Sequence, residues 1–171
     1  MNPTIKTNYF EDGVDRILRL MRDTFGSTFK EYYNGEILNP PSSKLPCIMV
    51  TETQSSINTD ATGFDVANEQ IVIIVVLNLN DYTGGSDDTV LADYALRKYV
   101  QGQDPTTKQY LAETVLGAIR THFSMDSDTL YNAAEIDFTP NKRGTAEVPI
   151  YTQEAYITIT MQRLIPVPSR T

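Results

Sequence analysis

The stretch EQIVIIVVLNLND, residues 69–81, has the pattern of a β-strand that is apolar on both of its faces. Successive side chains of a strand point to opposite sides. One face carries Ile71, Ile73, Val75, Leu77 and Leu79. The second face carries Val72, Ile74 and Val76. A half-buried strand would alternate apolar and polar residues, so we expect something to cover both faces of this one.

Two coverings of the second face are open. In one, a short helix around residues 90–99 folds back over Val72, Ile74 and Val76 within the same chain. In the other, a neighbouring copy lies against the sheet, and these three residues form an oligomer interface. Burying a Val or Ile stabilises by roughly 1.5 to 3 kcal/mol, so three exposed ones would favour association.

Length and charge narrow the class of protein. The 171 residues carry a formal net charge of −8, with a pI near 4.6, and their number predicts one domain over 1–171. A protein that wraps nucleic acid needs a basic surface to neutralise phosphates. This acidic chain would on average repel DNA. Such repulsion still suits the wall of a conduit through which DNA slides without binding.

Compartment and redox chemistry are constrained by what the sequence lacks. The start, MNPTIKTNYFEDG, has no basic run followed by an apolar stretch, so we expect no signal peptide. The longest apolar run, residues 71–77, is too short to span a bilayer. Cys47 and His122 are the only residues of their types, which excludes a disulfide within the chain and a Cys/His zinc cluster. We expect a soluble chain in a reducing compartment.

The remaining periodicities predict the other elements. An amphipathic helix begins at Asp12 and ends near Gly26, and the segment 31–43 has turn chemistry. A first strand starts at Pro46 and leads through a polar loop to the strand 69–81. The apolar stripe of the opening helix is Val14, Ile17, Leu18, Met21 and Phe25.

The second half begins with a polar insertion at about 82–104. Within it, Asp87 or Asp88 caps a short helix that Gly102 stops. A second main helix follows from Pro105 to about Phe123, with an apolar stripe that includes Leu111, Val115 and Ile119. The end of the chain then forms a strand at 133–139, a loop at 140–149, a strand at 150–165 and a tail at 166–171.

The resulting order is helix, strand, strand, helix, strand, strand, with one short extra helix. It predicts an α+β fold in which two main helices pack on one face of an antiparallel or mixed sheet. The other face is then open to water or to a partner.

No catalytic motif is present. The chain lacks GxxxxGK[ST] and GxGxxG, and TGGSDD has no lysine to hold a phosphate. His122, with Asp126 and Asp128 nearby, is more typical of a helix end than of a catalytic base. The acidic pairs lack the order of a calcium loop. We therefore expect no enzymatic activity, no cofactor and no metal.

This element order, with LRKYVQGQDPTTKQYLAETVLGAIRTHF leading into the second helix and a C-terminal hairpin ending in AYITITMQRLIP, resembles the tail-terminator and tail-completion proteins of tailed bacteriophages, in the broad group of head-tail joining proteins. The resemblance covers about Asp12 to Pro166. It implies a ring homo-oligomer, a hexamer, between the tail tube protein and the head-tail connector proteins. It also implies assembly in the host cytoplasm, a place in the neck of the virion and no catalysis.

In such a ring, polar loops would contact the unlike rings above and below. Tyr82, Asp87 and Asp88 lie in one of these loops, and Lys142 and Arg143 at the tip of the other. The basic pair either meets an acidic surface on the adjacent ring or forms a solvated turn. The alternative function is a small α+β protein-binding module, or a subunit of a phage-tail-like contractile injection system.

Overall fold

A computed structural model describes residues 12–59, 63–83, 89–123 and 129–167. Its helices are α1 Gly13–Phe25, α2 Asn80–Thr83, α3 Val90–Gln101 and α4 Val115–Phe123. Its strands are β1 Glu31–Asn34, β2 Cys47–Thr59, β3 Phe64–Asn78, β4 Thr129–Gly144 and β5 Pro149–Pro166. The fold is α+β, as the sequence predicts.

All five strands form one mixed sheet in the order β1-β2-β3-β5-β4. β1 runs parallel to β2, and every other neighbouring pair is antiparallel. The prediction of turn chemistry over 31–43 missed β1. β1 is only four residues long and ends at the breaker Asn34, with Gly35 after it. It is held by its pairing with β2 rather than by its own pattern.

The opening helix is confirmed at both ends. The Asp12 side chain accepts a hydrogen bond from the backbone N of Asp15 at 2.8 Å, which caps the first turn. The helix ends at Gly26, whose φ of 49° lies in the left-handed region. The whole predicted apolar stripe is buried.

α1, α3 and α4 all pack on the same face of the sheet, which we call the helix face. Their apolar residues form the larger core cluster with the odd-numbered residues of β3, from Ile71 to Leu77. The edge strand β4 adds Ala134, Ile136 and Phe138, while Glu135 and Asp137 point the other way and are exposed. One-sided packing of helices is therefore confirmed, with three helices rather than two.

The predicted start of the second main helix at Pro105 is wrong. α4 begins at Val115, and residues 102–114 form an irregular connection. The Asp104 side chain accepts from the backbone N of Thr106 and of Thr107, at 2.8 and 2.7 Å, and this turn competes with helix formation.

The polar loop predicted over 54–68 is instead mostly strand. β2 continues to Thr59 and β3 begins at Phe64, paired from Asp65 with Thr59 to Val76 with Cys47. We call the far end of the sheet the arm: residues 53–59 of β2, 64–70 of β3 and 160–166 of β5. The tail was predicted to begin at residue 166, but β5 includes Pro166. Residues 168–171 lie outside the described part of the chain.

Candidate functional site

The three residues predicted for an oligomer interface lie largely inside the monomer. Ile74 is 1% exposed and Val76 is fully buried, whereas Val72 is half-buried at the margin. They belong to a second core cluster on the face opposite the helices, which also contains Leu45, Cys47 and Met49. The prediction that Ile74 and Val76 are left for a neighbouring copy is therefore wrong.

The connection between β1 and β2 covers this second face. Its Leu45 is fully buried in one cluster with Ile74 and Val76, and Tyr33 and Tyr156 pack at the edge of that cluster. The predicted internal covering was also wrong, because α3 packs on the helix face through its buried stripe. That stripe consists of Ala92, Leu96 and Val100.

Arg143 is the second predicted contact that the structure places inside the chain. β4 continues through Arg143, which pairs with Ile150, so this residue is not at the tip of the hairpin. Its side chain is only 4% exposed. Its Nε donates to Glu154 Oε1 at 2.6 Å, and its Nη1 donates to the carbonyl of Ile37 at 2.8 Å. Its Nη2 reaches Glu36 Oε1 at 3.2 Å. Arg143 thus ties the β1–β2 connection to the C-terminal hairpin.

Glu154, the partner of Arg143, is fully buried. Burial raises the pKa of this carboxyl, but the hydrogen bonds that it accepts outweigh burial and hold the pKa below its ordinary value of 4.5. Besides Arg143, its donors are Thr152 Oγ1 at 2.6 Å, Tyr156 Oη at 2.7 Å and Asn141 Nδ2 at 3.2 Å. The carboxylate is saturated with donors, so the cluster is a structural ion pair.

Of the remaining predicted contacts, Lys142 and Tyr82 are described. Lys142 is exposed, with its Nζ 5.9 Å from the centre of the Tyr151 ring. Tyr82 is half-buried beside α3, and burial raises its pKa to about 12. Asp87 and Asp88 lie outside the described residues. The described contacts are therefore divided, with Tyr82 beside α3 and with Lys142 and Arg143 on β4.

What the fold leaves accessible is the rest of the second sheet face, which we call the open face. Its side chains come from the residue pairs of β3 with β5 that lie between Ile74 and the arm, and from the part of β4 next to these pairs. They are mostly neutral polar and acidic groups: Asn68, Gln70, Val72, Glu135, Asp137, Thr158, Thr160 and Gln162. No lysine or arginine is among these described side chains, and the Gln162 amide donates to Asn68 Oδ1 at 3.1 Å.

Two apolar patches are also accessible, one on α3 and one at the arm end of the open face. The α3 patch consists of Val90, Leu91 and Tyr94, on the outer side of the first turns of α3. The arm patch consists of Phe64, Val66 and Leu164, on the open-face side of the arm. Val66 pairs with Leu164 and Phe64 pairs with Pro166, so these side chains are cross-strand or diagonal neighbours.

A groove of about 530 Å³ adjoins the α3 patch. It runs between α3, α2 and the connection that precedes α4, and its lining is rich in tyrosine. The lining residues are Thr28, Tyr82, Tyr94, Ala95, Lys98, Tyr99, Leu111, Glu113 and Thr114. Tyr82, predicted as a partner contact, is therefore next to an exposed apolar surface.

Among the described residues there is no group of three or more His, Cys, Asp or Glu side chains that could hold a metal ion. None of the helices in the described ranges is long and apolar enough to cross a membrane. His122 is exposed at the end of α4. No model of a known protein family matches this chain, and no curated protein matches it.

Sequence reasoning missed both apolar patches and the buried ion pair. The α3 patch had a visible signal, since Val90, Leu91 and Tyr94 add a second apolar side to a helix whose buried side is Ala92 and Leu96. The sequence carries no local signal for the pairing of Arg143 with Glu154, because this pairing depends on the register of β4 against β5.

Proposed function

We propose that this chain is a structural protein of a tailed bacteriophage that forms a ring at the head-tail junction. In this role it terminates or completes the tail tube and joins it to the connector proteins. The observation that carries the proposal is the open face. One side of the sheet is covered by helices, and much of the other side is accessible and mostly neutral polar, with two exposed carboxylates and no cation among its described residues.

Charge explains why such a face suits a DNA channel. Each phosphate that a lysine or arginine neutralises releases counterions and adds affinity, which would retard moving DNA. Glu135 and Asp137 are exposed on this face and repel phosphates, while its threonine and amide side chains bind them weakly. A channel wall of this composition passes DNA without holding it.

The proposal places the chain in the neck of the virion, after assembly in the host cytoplasm. Its partners are further copies of itself in a ring, the tail tube protein on one side and the connector proteins on the other. DNA passes without specific binding, and no catalysis or cofactor is needed.

The groove beside α3 favours a second candidate, a protein-binding module. Tyr82, Tyr94 and Tyr99 supply apolar area with polar tips, the composition that protein interfaces prefer. A module of this kind binds an unlike protein and stays monomeric by itself.

Electron microscopy of virions tests the first candidate. Particles of the phage that encodes the chain are labelled with an antibody against it, and we expect label at the junction of head and tail. Particles assembled without the chain should appear as separate heads and tails. Label elsewhere, or normal joined particles without the chain, would contradict the proposal and leave the binding module.

A further inference from the structure

We propose that the connection between β1 and β2, residues 35–46, is a strap that opens as a unit while the helices and the rest of the sheet stay folded. Its opening uncovers the second core cluster, so the strap controls how much apolar surface this side of the sheet presents. This opening is a property of one chain and does not depend on the proposed ring.

Few backbone hydrogen bonds hold the strap to the sheet. At its start, the backbone N of Gly35 donates to the carbonyl of Val50 at 2.7 Å. At its end, the carbonyl of Pro46 accepts from the backbone N of Lys30 at 2.8 Å. Between these two positions, the backbone–backbone hydrogen bonds of the described chain stay within the strap. The middle of the strap is therefore attached to the sheet by side-chain contacts.

The strap covers a core cluster that is separate from the main core. Its Leu45 is fully buried against Cys47, Met49, Ile74 and Val76. The larger cluster lies on the helix face, and none of its described members belongs to the strap. The strap can therefore leave the sheet without disturbing the packing of the helices.

Much of the strap is already in contact with water. Leu45 and Pro40 are buried, whereas Leu38 is 73% exposed. Lys44 forms an ion pair with Glu31 at 2.7 Å, but both side chains are partly exposed, and such pairs contribute little to stability. Segments with few buried contacts open at a lower free energy than the whole fold does.

Gly35 gives the strap a hinge at its start. Its φ of 101° lies in the left-handed region that favours glycine, whose backbone adopts many conformations. No heavy atom of the described chain beyond its neighbours lies within 4 Å of the position that a Cβ would occupy. A change of backbone direction at Gly35 therefore meets little obstruction.

Arg143 is the main polar contact that holds the strap closed. Glu154 fixes the guanidinium on the sheet through Nε, at 2.6 Å. The remaining donors are then directed at the strap, where Nη1 donates to the carbonyl of Ile37 at 2.8 Å and Nη2 reaches Glu36 Oε1 at 3.2 Å. A planar guanidinium can serve both sides at once, which a lysine cannot.

Opening of the strap changes the open face. With the strap closed, Ile74 and Val76 are buried, and the open face is mostly polar from Val72 onward. With the strap open, Ile74 and Val76 become accessible next to Val72 and add an apolar end to this face. Contiguous apolar surface favours association, so the closed strap keeps the chain from presenting it.

Cleavage by trypsin after Lys44 under native conditions measures the opening. Leu45 follows the cleaved bond and is fully buried, so the protease reaches this bond in an open form. When reclosing is faster than cleavage, the cleavage rate is proportional to the population of that form. Mass spectrometry of the fragments identifies this cut among the others.

Two variants should loosen the strap. Leu45→Ala removes its apolar contact, and we expect cleavage after Lys44 to accelerate at least about tenfold. Arg143→Lys keeps a cation beside Glu154 but loses the bonds to the strap, and we expect an acceleration of roughly two- to tenfold. Lys142→Met is the matched control, because this adjacent side chain is exposed, and its cleavage after Lys44 should match that of the wild type.

Leu96→Ala gives the decisive result. Leu96 is fully buried in the larger cluster, so this variant should unfold at a lower urea concentration. Leu96 stays buried when only the strap opens, and we therefore expect an unchanged rate of cleavage after Lys44 without urea. Acceleration equal to the change in the global unfolding constant would show that the strap opens only with the whole chain, and it would overturn the inference.

A Leu45→Ala protein that is cleaved no faster than the wild type would also overturn the inference, because the strap would then not be held by its buried side chain. Circular dichroism checks that each variant is folded. Leu45→Val and Leu96→Val replace an alanine variant that does not fold, with smaller expected changes in the same directions.

Discussion

The two ends of β3 have the same backbone conformation and very different surroundings. From Ile71 to Leu77, the odd-numbered side chains pack under the helices and the even-numbered ones include Ile74 and Val76, which share a cluster with Leu45. From Phe64 to Gln70, the strand lies in the arm, where the neighbouring part of β2 is exposed. One strand thus belongs to the core on both faces at one end, whereas at the other end only Ala67 and Glu69, on the helix face, are buried.

This difference shows that strand length and core size are set separately. The ladder of β3 with β5 continues without interruption from Phe64 to Asn78, so the backbone is equally paired throughout. What changes along the strand is whether another element packs on its second face. The β1–β2 connection covers only the end of the sheet that contains Ile74 and Val76. Backbone pairing extends the sheet, and side-chain burial stabilises only part of it.

The largest effect should come from placing a charge in the covered half. Ile74→Asp puts a carboxylate at a position that is 1% exposed, in the cluster of Leu45 and Met49. We expect a loss of more than about 4 kcal/mol in the free energy of unfolding. Urea denaturation followed by circular dichroism measures it.

Ile57→Asp makes the same change in the arm, at an exposed residue of β2. We expect a loss of less than about 1 kcal/mol there. A folded, stable Ile74→Asp protein would mean that the second face is not part of the core, and the contrast between the two halves would fail.

Removal of Arg143 should be nearly as costly, because it leaves Glu154 buried without its cation. We expect Arg143→Met to lower the free energy of unfolding by about 3 to 5 kcal/mol. The adjacent Lys142→Met removes an exposed cation and should cost less than about 1 kcal/mol. Replacement of both Arg143 and Glu154 by Met should recover much of the loss, and an equal loss for Arg143→Met and Lys142→Met would contradict this assignment.

A smaller effect should appear as a pH dependence. The pKa of Glu154 is lower in the folded chain than its ordinary value of 4.5, so the folded state binds this proton less readily than the unfolded state. The resulting stability is present above about pH 4.5 and is lost as the pH falls through the folded-state pKa.

The Arg143→Met, Glu154→Met double variant is the reference for this measurement, because it lacks the carboxyl. Urea midpoints of the wild type should fall more steeply than those of the double variant below about pH 4.5. Parallel pH profiles would show that Glu154 does not contribute.

The smallest effect on stability is expected at the open face. Glu135→Lys with Asp137→Lys should change the free energy of unfolding by less than about 1 kcal/mol, because both side chains are exposed. The wild type should not retard duplex DNA in a gel shift at physiological salt. The double variant should bind it roughly tenfold more tightly at low salt, an increase that weakens as salt is added.

Asp81→Lys with Glu147→Lys makes the same change in net charge at exposed positions off the open face. In an assembled ring this control should bind DNA less than the open-face variant does. Equal binding by the two variants would show that net charge, and not the position of the face, governs DNA affinity.

The parts of the fold that were predictable from sequence are those with local signals. Asp12 as a helix cap, the stripe from Val14 to Phe25 and the alternation around Ile136 each depend on neighbouring residues. The double-sided pattern of 71–77 also correctly indicated two covered faces. It did not identify the covering, since Leu45 comes from a segment with turn chemistry and joins Ile74 only through the tertiary fold.

The candidate site was less predictable for the same reason. Arg143 comes shortly after a proline and an asparagine, residues typical of a turn, and yet β4 runs through it to Gly144. Likewise, the polar stretch 54–68 lacks a strand pattern, and the ladders among β2, β3 and β5 order most of it. Where long-range strand pairing overrides local preference, a single sequence does not indicate the bounds of the strands or which side chains they bring together.

The free thiol of Cys47 makes the second core cluster observable in real time. Cys47 is fully buried in the cluster of Met49 and Val76, and burial raises its pKa to about 12. A thiol reagent therefore reacts only when this part of the chain opens, and its rate under native conditions measures the frequency of opening. With one cysteine in the chain, the labelling kinetics report on a single location.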